Sequence, residues 1–115
     1  MNKNDEKYEK LITELIERKF GIFNQFLDEN LLNGLRSNLL DYKQQGLMHP
    51  AGIGKNFDYK ENLEVRGDVI KWMDENSSNP YENEFMELIE SFNEYLNRTC
   101  YTKINGFEFH YAYYE

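Results

Sequence analysis

The sequence closes on YTKINGFEFHYAYYE, residues 101–115, and residues 107–114 within it are the clearest candidate β-strand of the chain. Side chains alternate between the two faces of a strand. One face then carries four aromatic residues, Phe107, Phe109, Tyr111 and Tyr113. The other carries the mixed set Glu108, His110, Ala112 and Tyr114. Burying an aromatic side chain contributes about 1.5–3 kcal/mol, so we expect helices to cover the aromatic face and the mixed face to line a site.

Two amphipathic helices are predicted ahead of this strand. In KYEKLITELIERK, residues 7–19, apolar residues recur at helical spacing with charges between them. In ENLLNGLRSNLLDYKQQ, residues 29–45, leucines form the apolar stripe, Asp28 is placed as the N-cap and Gly46 as the C-terminal stop. The aromatic segment between them, KFGIFNQFL, predicts a short strand from about Lys19 to Leu27.

A further strand and a third helix are predicted in the second half of the chain. The strand covers Val65 to Met73. The turn NSSNP, residues 76–80, then supplies Asn79 as N-cap and Pro80 at the first helical position, with Glu82 three residues after the cap. The helix runs to about Asn97, and its outer face is a row of acids that we expect to be solvated: Glu84, Glu87, Glu90 and Glu94.

Length and composition indicate one α+β domain, residues 1–115, with N-terminal helices packed on an antiparallel sheet. The chain has 21 Asp and Glu against 13 Lys and Arg, which argues against binding a nucleic-acid backbone. An acidic mimic of nucleic acid is the one exception that this charge leaves open. The polar N-terminus and the lack of a long apolar run predict a cytoplasmic protein without membrane contact. Cys100, the one cysteine, is expected to be a buried structural thiol.

Two groups of residues are candidates for chemistry, and both have ordinary structural readings. His49, Glu108 and His110 are the residue types of a two-histidine, one-carboxylate iron site, but they equally fit a loop histidine and a hydrogen-bonded strand histidine. In VRGDVIKW, residues 65–72, Arg66, Asp68 and Trp72 share one face of the predicted strand. They fit either the rim of a pocket or an exposed Arg66–Asp68 ion pair, worth about 0–1 kcal/mol.

The order of these segments resembles the prolyl-hydroxylase-like branch of the iron(II)/2-oxoglutarate dioxygenases. Members of that family carry a segment of the form IRGD-x-I-x-W, then a helix, then a strand of the form YKING…A-x-Y. Here the corresponding stretches are VRGDVIKWMDE, residues 65–75, and YTKINGFEFHYAYYE. The AGIG stretch at residues 51–54 resembles the family's approach to the first segment. The resemblance covers about residues 20–115.

This resemblance implies a double-stranded β-helix, or jelly roll, braced by helices on one sheet. Residues 1–46 would then supply support helices and a first strand, and residues 47–115 the start of the jelly roll with an inserted helix at about 80–97. Tyr114 corresponds to the tyrosine that lines the 2-oxoglutarate pocket. Arg66, Asp68 and Trp72 correspond to residues near the substrate entrance. Fe(II) and 2-oxoglutarate are the implied cofactors, with a protein or peptide as the implied substrate.

In the family, the H-x-D iron ligands and the distal histidine follow this strand, and the sequence to Glu115 contains no H-x-D. We therefore expect these 115 residues to be the front portion of such an oxygenase, with no metal-binding or catalytic residue of their own and no activity alone. The alternative is a non-catalytic acidic α+β protein that binds a partner, or a second copy of itself, through strand 107–114. A long strand edge with high β-propensity and little charge tends to pair with another chain.

Overall fold

The computed structural model describes residues 3–51 and 67–114 of the chain. Within these residues it has three helices and three short strands, in the order α1 (Lys3–Arg18), α2 (Glu29–Gln44), β1 (His49–Pro50), β2 (Val69–Trp72), α3 (Pro80–Cys100) and β3 (His110–Tyr113). The strands pair antiparallel in the order β1-β2-β3. The predicted α+β class is therefore confirmed. A jelly roll is not shown, because the described sheet has only these three strands.

The N-terminal core lies between α1 and α3. Tyr8 is fully buried and sets its ring edge-on against Phe92, with 5.0 Å between the ring centroids. Its hydroxyl donates to Ser91 Oγ at 3.2 Å, so the buried phenol keeps a polar partner. Ile12 and Tyr95 complete the buried part of this core, and Cys100 packs against it half-buried. The first part of the apolar stripe of α1 is thus covered by α3, whereas Leu15 and Ile16 further along the helix are 42% and 75% exposed.

The ends of α2 and α3 follow from local sequence. Asp28 accepts a hydrogen bond from Leu31 N at 2.7 Å and caps α2. Beyond the end of α2, Gly46 has φ of 73°, a left-handed conformation that glycine adopts at little cost. Asn79 Oδ1 accepts from two backbone amides of the first turn of α3, where Pro80 leads the helix. Both predicted N-caps are confirmed.

The predicted strand from Lys19 to Leu27 is wrong, because this segment is a loop. Lys19 and Gln25 have φ of 69° and 60°, which interrupts any extended run. The aromatic residues fold back onto α1 instead of pairing with a strand. The backbone carbonyl of Phe26 accepts from Lys7 Nζ at 2.9 Å, and Lys10 lies over the ring of Phe23. The aromatic residues of the segment therefore pack against a helix and do not form a strand.

The other two predicted strands are present in shorter form. The strand predicted over Val65 to Met73 is observed as β2, residues 69–72, and its first two positions lie outside the described residues. The strand predicted over residues 107–114 is observed as β3, residues 110–113. The pairing extends slightly further, because Met73 N donates to Phe109 O at 2.8 Å. The alternation of faces that defined the prediction holds through this stretch.

Helices α2 and α3 cover one face of the sheet, as the aromatic pattern predicted. Tyr111 is buried among them, with its ring 5.4 Å from that of Tyr42 on α2. Phe109 meets Phe85 of α3 edge-on, with 5.0 Å between the ring centroids. On α3, the four acids of the predicted solvated row are exposed. None of the described helices is long and apolar enough to cross a membrane.

Candidate functional site

The sheet face that points away from α2 and α3 carries most of the residues singled out by sequence. Trp72 pairs with His110, and Ile70 pairs with Ala112, across the β2–β3 ladder. Paired residues of antiparallel strands project on the same side of the sheet, so these four side chains share this face, which we call the open face. Tyr114 directly follows β3 and, two residues after Ala112, lies on the same face if the alternation continues. The register, continued by one residue, sets it opposite Asp68.

Trp72 and His110 form an aromatic pair on the open face. Their rings meet edge-on, with centroids 5.0 Å apart and an interplanar angle of 82°. The imidazole is exposed, while the indole is half-buried. An edge-to-face pair of this kind contributes about 0.5–1.5 kcal/mol beyond area burial. The pair therefore gives the open face a rigid aromatic wall.

Two of the predicted substrate-entrance residues lie on this face, with different exposure. Asp68 is only 1% exposed and has an interaction partner, so the expectation that it is exposed is wrong, while its pairing with Arg66 stays a prediction. Trp72 is half-buried. Arg66, the third member, lies outside the described residues. The structure therefore brings Asp68 and Trp72 to the same face, and the role of Arg66 stays a prediction.

Tyr114, the predicted 2-oxoglutarate residue, is 70% exposed. It lies beyond the last ladder pair and turns away from the helices that hold Tyr111 and Tyr113. Ala112, next to it on the same face, has a small side chain. Tyr114 therefore presents an accessible phenol hydroxyl as a hydrogen-bond donor, whereas Ile70 and Asp68 on the same face are only 2% and 1% exposed.

His49, Glu108 and His110 do not come together as an iron site. His49 pairs with Ile70, and Ile70 pairs with Ala112, so His49 lies two strand positions from β3. Neighbouring strands are about 4.8 Å apart, which leaves roughly 10 Å between these backbones. No group of three His, Cys, Asp or Glu side chains within residues 3–51 and 67–114 is arranged to hold a metal ion.

A buried carboxylate on the helix-covered side was missed by the sequence analysis. Glu82 of α3 is 2% exposed and accepts three hydroxyl hydrogen bonds. Tyr42 and Tyr111 donate to its Oε2 at 2.7 and 2.8 Å, and Ser77 donates to its Oε1 at 2.6 Å. We call these four residues the Glu82 cluster. The cluster ties together α2, α3, β3 and the turn before α3.

Electrostatics in the Glu82 cluster favour an ionised carboxylate. Burial by itself would raise the pKa of Glu82, but the donors Ser77, Tyr42 and Tyr111, together with the charge of Lys71, lower the pKa below its ordinary value. Burial, followed by the hydrogen bond to Glu82, raises the pKa of Tyr42 to about 12. Burial likewise raises the pKa of Tyr111. The two phenols stay protonated and donate to a carboxylate that stays charged.

One signal in the sequence could have identified Glu82. It lies three residues before Phe85 and seven before Ile89, which places it on the apolar stripe of α3. The capping pattern predicted instead that its side chain would turn back to the N-cap amide. In the structure that amide, Asn79 N, donates to Ser77 Oγ at 3.0 Å. Ser77 therefore accepts the hydrogen bond of the N-cap amide, and its hydroxyl donates a hydrogen bond to Glu82 Oε1 at 2.6 Å.

An apolar cleft of about 500 Å³ opens beside the first half of β3. Leucines of α2 form one wall, and Phe85 of α3 with Phe109, the residue before β3, forms the other. Leu32, on this wall, is 51% exposed. The cleft is mainly apolar and is open to solvent.

A wider cleft, about 900 Å³, lies between α1 and the loop before α2. Both of its lysines already have partners: Lys7 donates to Phe26 O, and Lys10 lies over Phe23. Polar groups that are already satisfied give a ligand little to bind. This cleft is a consequence of the loop folding back on α1 and is distant from the open face.

Comparisons of the chain with protein-family models, with curated proteins and with solved structures return no match.

Proposed function

We propose that this chain forms the helical brace and one pocket wall of an iron(II)/2-oxoglutarate dioxygenase of the prolyl-hydroxylase-like branch. The observation that carries the proposal is the difference between the two faces of the sheet. Helices α2 and α3 cover one face through Tyr111 and Phe109. The opposite face carries Asp68, Trp72 and the exposed Tyr114, the residues that the resemblance assigns to the pocket and its entrance.

In this proposal each open-face residue has a defined task. Tyr114 donates its hydroxyl proton to a carboxylate of 2-oxoglutarate. Trp72, held by His110, is a rigid apolar surface against which a protein or peptide substrate packs. Arg66 and Asp68 have the entrance position that the resemblance assigns to them. Because Asp68 is only 1% exposed, it would act there by holding neighbouring groups in place and not by direct contact with the substrate. The Glu82 cluster has no contact with substrate and holds the sheet against its brace.

The described residues do not fit an iron site, so no step of the reaction is derived from them. They offer one phenol for 2-oxoglutarate, and within residues 67–114 no lysine or arginine lies on the open face of β2 or β3. An oxygenase of this kind needs two histidines and a carboxylate for iron and a cation for the far carboxylate. The proposal therefore requires that further sequence supply these groups, in a cytoplasmic protein of which residues 1–115 are one portion.

The mass of the protein isolated from its native source tests this requirement. We expect a mass well above 13.9 kDa and peptides that continue past Glu115 into an H-x-D stretch. That longer protein should convert 2-oxoglutarate to succinate in the presence of Fe(II). A native mass of 13.9 kDa, or a longer protein without H-x-D, would overturn the proposal.

Replacing Tyr114 with phenylalanine in the intact oxygenase is expected to raise the KM for 2-oxoglutarate roughly tenfold or more. A hydrogen bond to an ionised group contributes about 1.5–3 kcal/mol, and about 1.4 kcal/mol corresponds to a tenfold change in affinity. The measurement is succinate formation against 2-oxoglutarate concentration. Tyr101→Phe is the matched control, because Tyr101 is 90% exposed at the end of α3. Equal KM values for the two variants would remove Tyr114 from the pocket.

A further inference from the structure

We propose that two copies of the 115-residue chain pair through the outer edge of β3, antiparallel, with a two-fold axis at Tyr111. The occupant of this edge is thus a second copy of the same chain. The proposal concerns this chain alone and does not depend on the oxygenase proposal. It rests on three observations: the direction of the backbone groups of β3, the lack of charge along it, and the position of the apolar cleft.

Within the described part of the chain, the backbone groups on the outer side of β3 have no strand partner. Met73 N donates to Phe109 O, and antiparallel ladders alternate the direction of successive residues. Phe109, Tyr111 and Tyr113 therefore direct their backbone groups to β2, while His110 and Ala112 direct theirs outward. Among residues 3–51 and 67–114, no strand lies on that side of β3. The outer edge is a template for one more strand.

This edge lacks the charges that usually keep strand edges apart. Residues 109–114 read FHYAYY and contain no Asp, Glu, Lys or Arg. Natural edge strands are commonly protected by charged side chains or proline. The chain as a whole has a net charge of −8, so two copies repel each other across most of their surface. The edge of β3 is where they meet without bringing acidic groups together.

A two-fold axis at Tyr111 makes the strand complementary to itself. His110 of one copy then pairs with Ala112 of the other, through the outward backbone groups of both. On the helix side, Phe109 lies opposite Tyr113 of the second copy. Aromatic cross-strand pairs stabilise antiparallel pairing, and the two-fold axis repeats the pair. The interface is closed, as in a C2 dimer, and does not propagate.

The apolar cleft gives this register a place for the tyrosine. Phe109 lines the cleft, so the side chain opposite it, Tyr113 of the second copy, lies at the mouth of the cleft. There it contacts Leu32 and the neighbouring leucines of α2, which are left partly exposed in the single copy. In each copy the cleft lies at the start of β3 and Tyr113 at its end. The two-fold axis reverses one copy relative to the other, so the cleft of each copy meets Tyr113 of the other. An unrelated strand would need a matching aromatic residue at this position.

The first test compares Ala112→Pro with Ala112→Ser by sedimentation across a concentration series up to ~1 mM, a range that detects weak pairing. Proline removes an outward N–H that β2 does not use, and edge strands tolerate proline with the N–H side outward. We expect wild type and Ala112→Ser to form dimers. Ala112→Pro should stay a monomer with unchanged far-UV circular dichroism. A monomeric wild type, or assemblies larger than dimers, would overturn the proposal.

A second pair of variants keeps the test decisive if the proline disturbs folding. Leu32 and Leu40 are both on α2 and about equally exposed, at 51% and 49%. Leu32 lines the cleft, whereas Leu40 does not. Leu32→Glu should weaken dimerisation roughly tenfold or more, because a carboxylate would be buried against the tyrosine. Leu40→Glu adds the same charge and should leave dimerisation unchanged. Equal effects of the two variants would mean that the cleft is not part of the interface.

Discussion

Replacing Glu82 with alanine is expected to lower the free energy of unfolding by about 3–5 kcal/mol. The carboxylate accepts hydroxyl hydrogen bonds from Tyr42, Tyr111 and Ser77. Its removal leaves these donors buried or half-buried without an acceptor, at about 1–3 kcal/mol for each group that water cannot reach. Small domains have only about 5–15 kcal/mol of stability in total. The variant should therefore be close to unfolding at room temperature.

The measurement is urea unfolding followed by tyrosine and tryptophan fluorescence. Glu84→Ala is the matched control, since Glu84 lies on the exposed side of the same helix and should change stability by no more than about 0.5 kcal/mol. Both variants lose one negative charge, so a general charge effect would be equal in the two. A loss below about 1 kcal/mol for Glu82→Ala would mean that the three hydroxyls find water or other acceptors.

The same variant should also change the acid dependence of stability. The folded-state pKa of Glu82 lies below its ordinary value of 4.5. A depressed carboxyl pKa contributes stability that is fully present above the unfolded-state pKa and is lost as the pH falls through the folded-state value. Wild type should therefore lose this contribution below about pH 4.5. Glu82→Ala has no such group, so its stability should fall less steeply over that range, as urea midpoints against pH would show.

Local signals predicted the helices well because the determinants of a helix are close in sequence. The N-caps Asp28 and Asn79, the stop at Gly46 and the apolar stripes all act within a few residues. The aromatic segment before α2 could not be assigned in this way. The segment has high strand propensity, but a strand needs a neighbouring strand to pair with. Phe23 and Phe26 instead pack against lysine side chains of α1. Tertiary packing decides whether this segment forms a strand or a loop, and the local sequence carries no information about that packing.

The candidate site was predicted in part, and for a physical reason. A period of two assigns residues to the faces of a strand regardless of the rest of the fold, so Asp68 and Trp72 were placed on one face of the first strand and His110 and Tyr114 on one face of the last. That these two faces lie on the same side of the sheet follows from the strand register, which the sequence did not indicate. Burial depends on what covers that face, and the sequence did not indicate that Asp68 would be 1% exposed. The burial of Glu82, on the helix-covered side of the sheet, was likewise not indicated by the sequence. An acid on an apolar stripe is ambiguous until the hydroxyls that satisfy it, distant in sequence, are located.

Gly34 is the second position where a small change should have a large effect. It lies in the middle of α2 and is buried against Tyr81 of α3. A Cβ added there would lie 2.2 Å from Tyr81 Cδ1 and 2.4 Å from Tyr81 Cγ. Cγ is bonded to the tyrosine Cβ and cannot swing far without moving α3. The two helices approach closely because residue 34 has no side chain.

Replacing Gly34 with alanine is therefore expected to destabilise the chain by about 1–2 kcal/mol, although alanine is the better helix former. The propensity gain is about 1 kcal/mol, and overpacking of a close contact costs about 1–3 kcal/mol. Separation of α2 from α3 would also lengthen the Tyr42–Glu82 hydrogen bond, which joins the same two helices. The loss from the contact and the loss from the cluster thus add to each other.

Urea unfolding of Gly34→Ala, with Gly106→Ala as control, tests this contact. A Cβ at Gly106 meets nothing within 4 Å, so the control should stay within about 0.5 kcal/mol of wild type. A double variant separates sterics from propensity. Once Tyr81→Ala has removed the ring, Gly34→Ala should no longer destabilise and should show the helix-propensity gain, a coupling expected only between residues in contact. If Gly34→Ala alone is more stable than wild type, there is room for a Cβ at position 34, and α2 and α3 are not in the close contact described above.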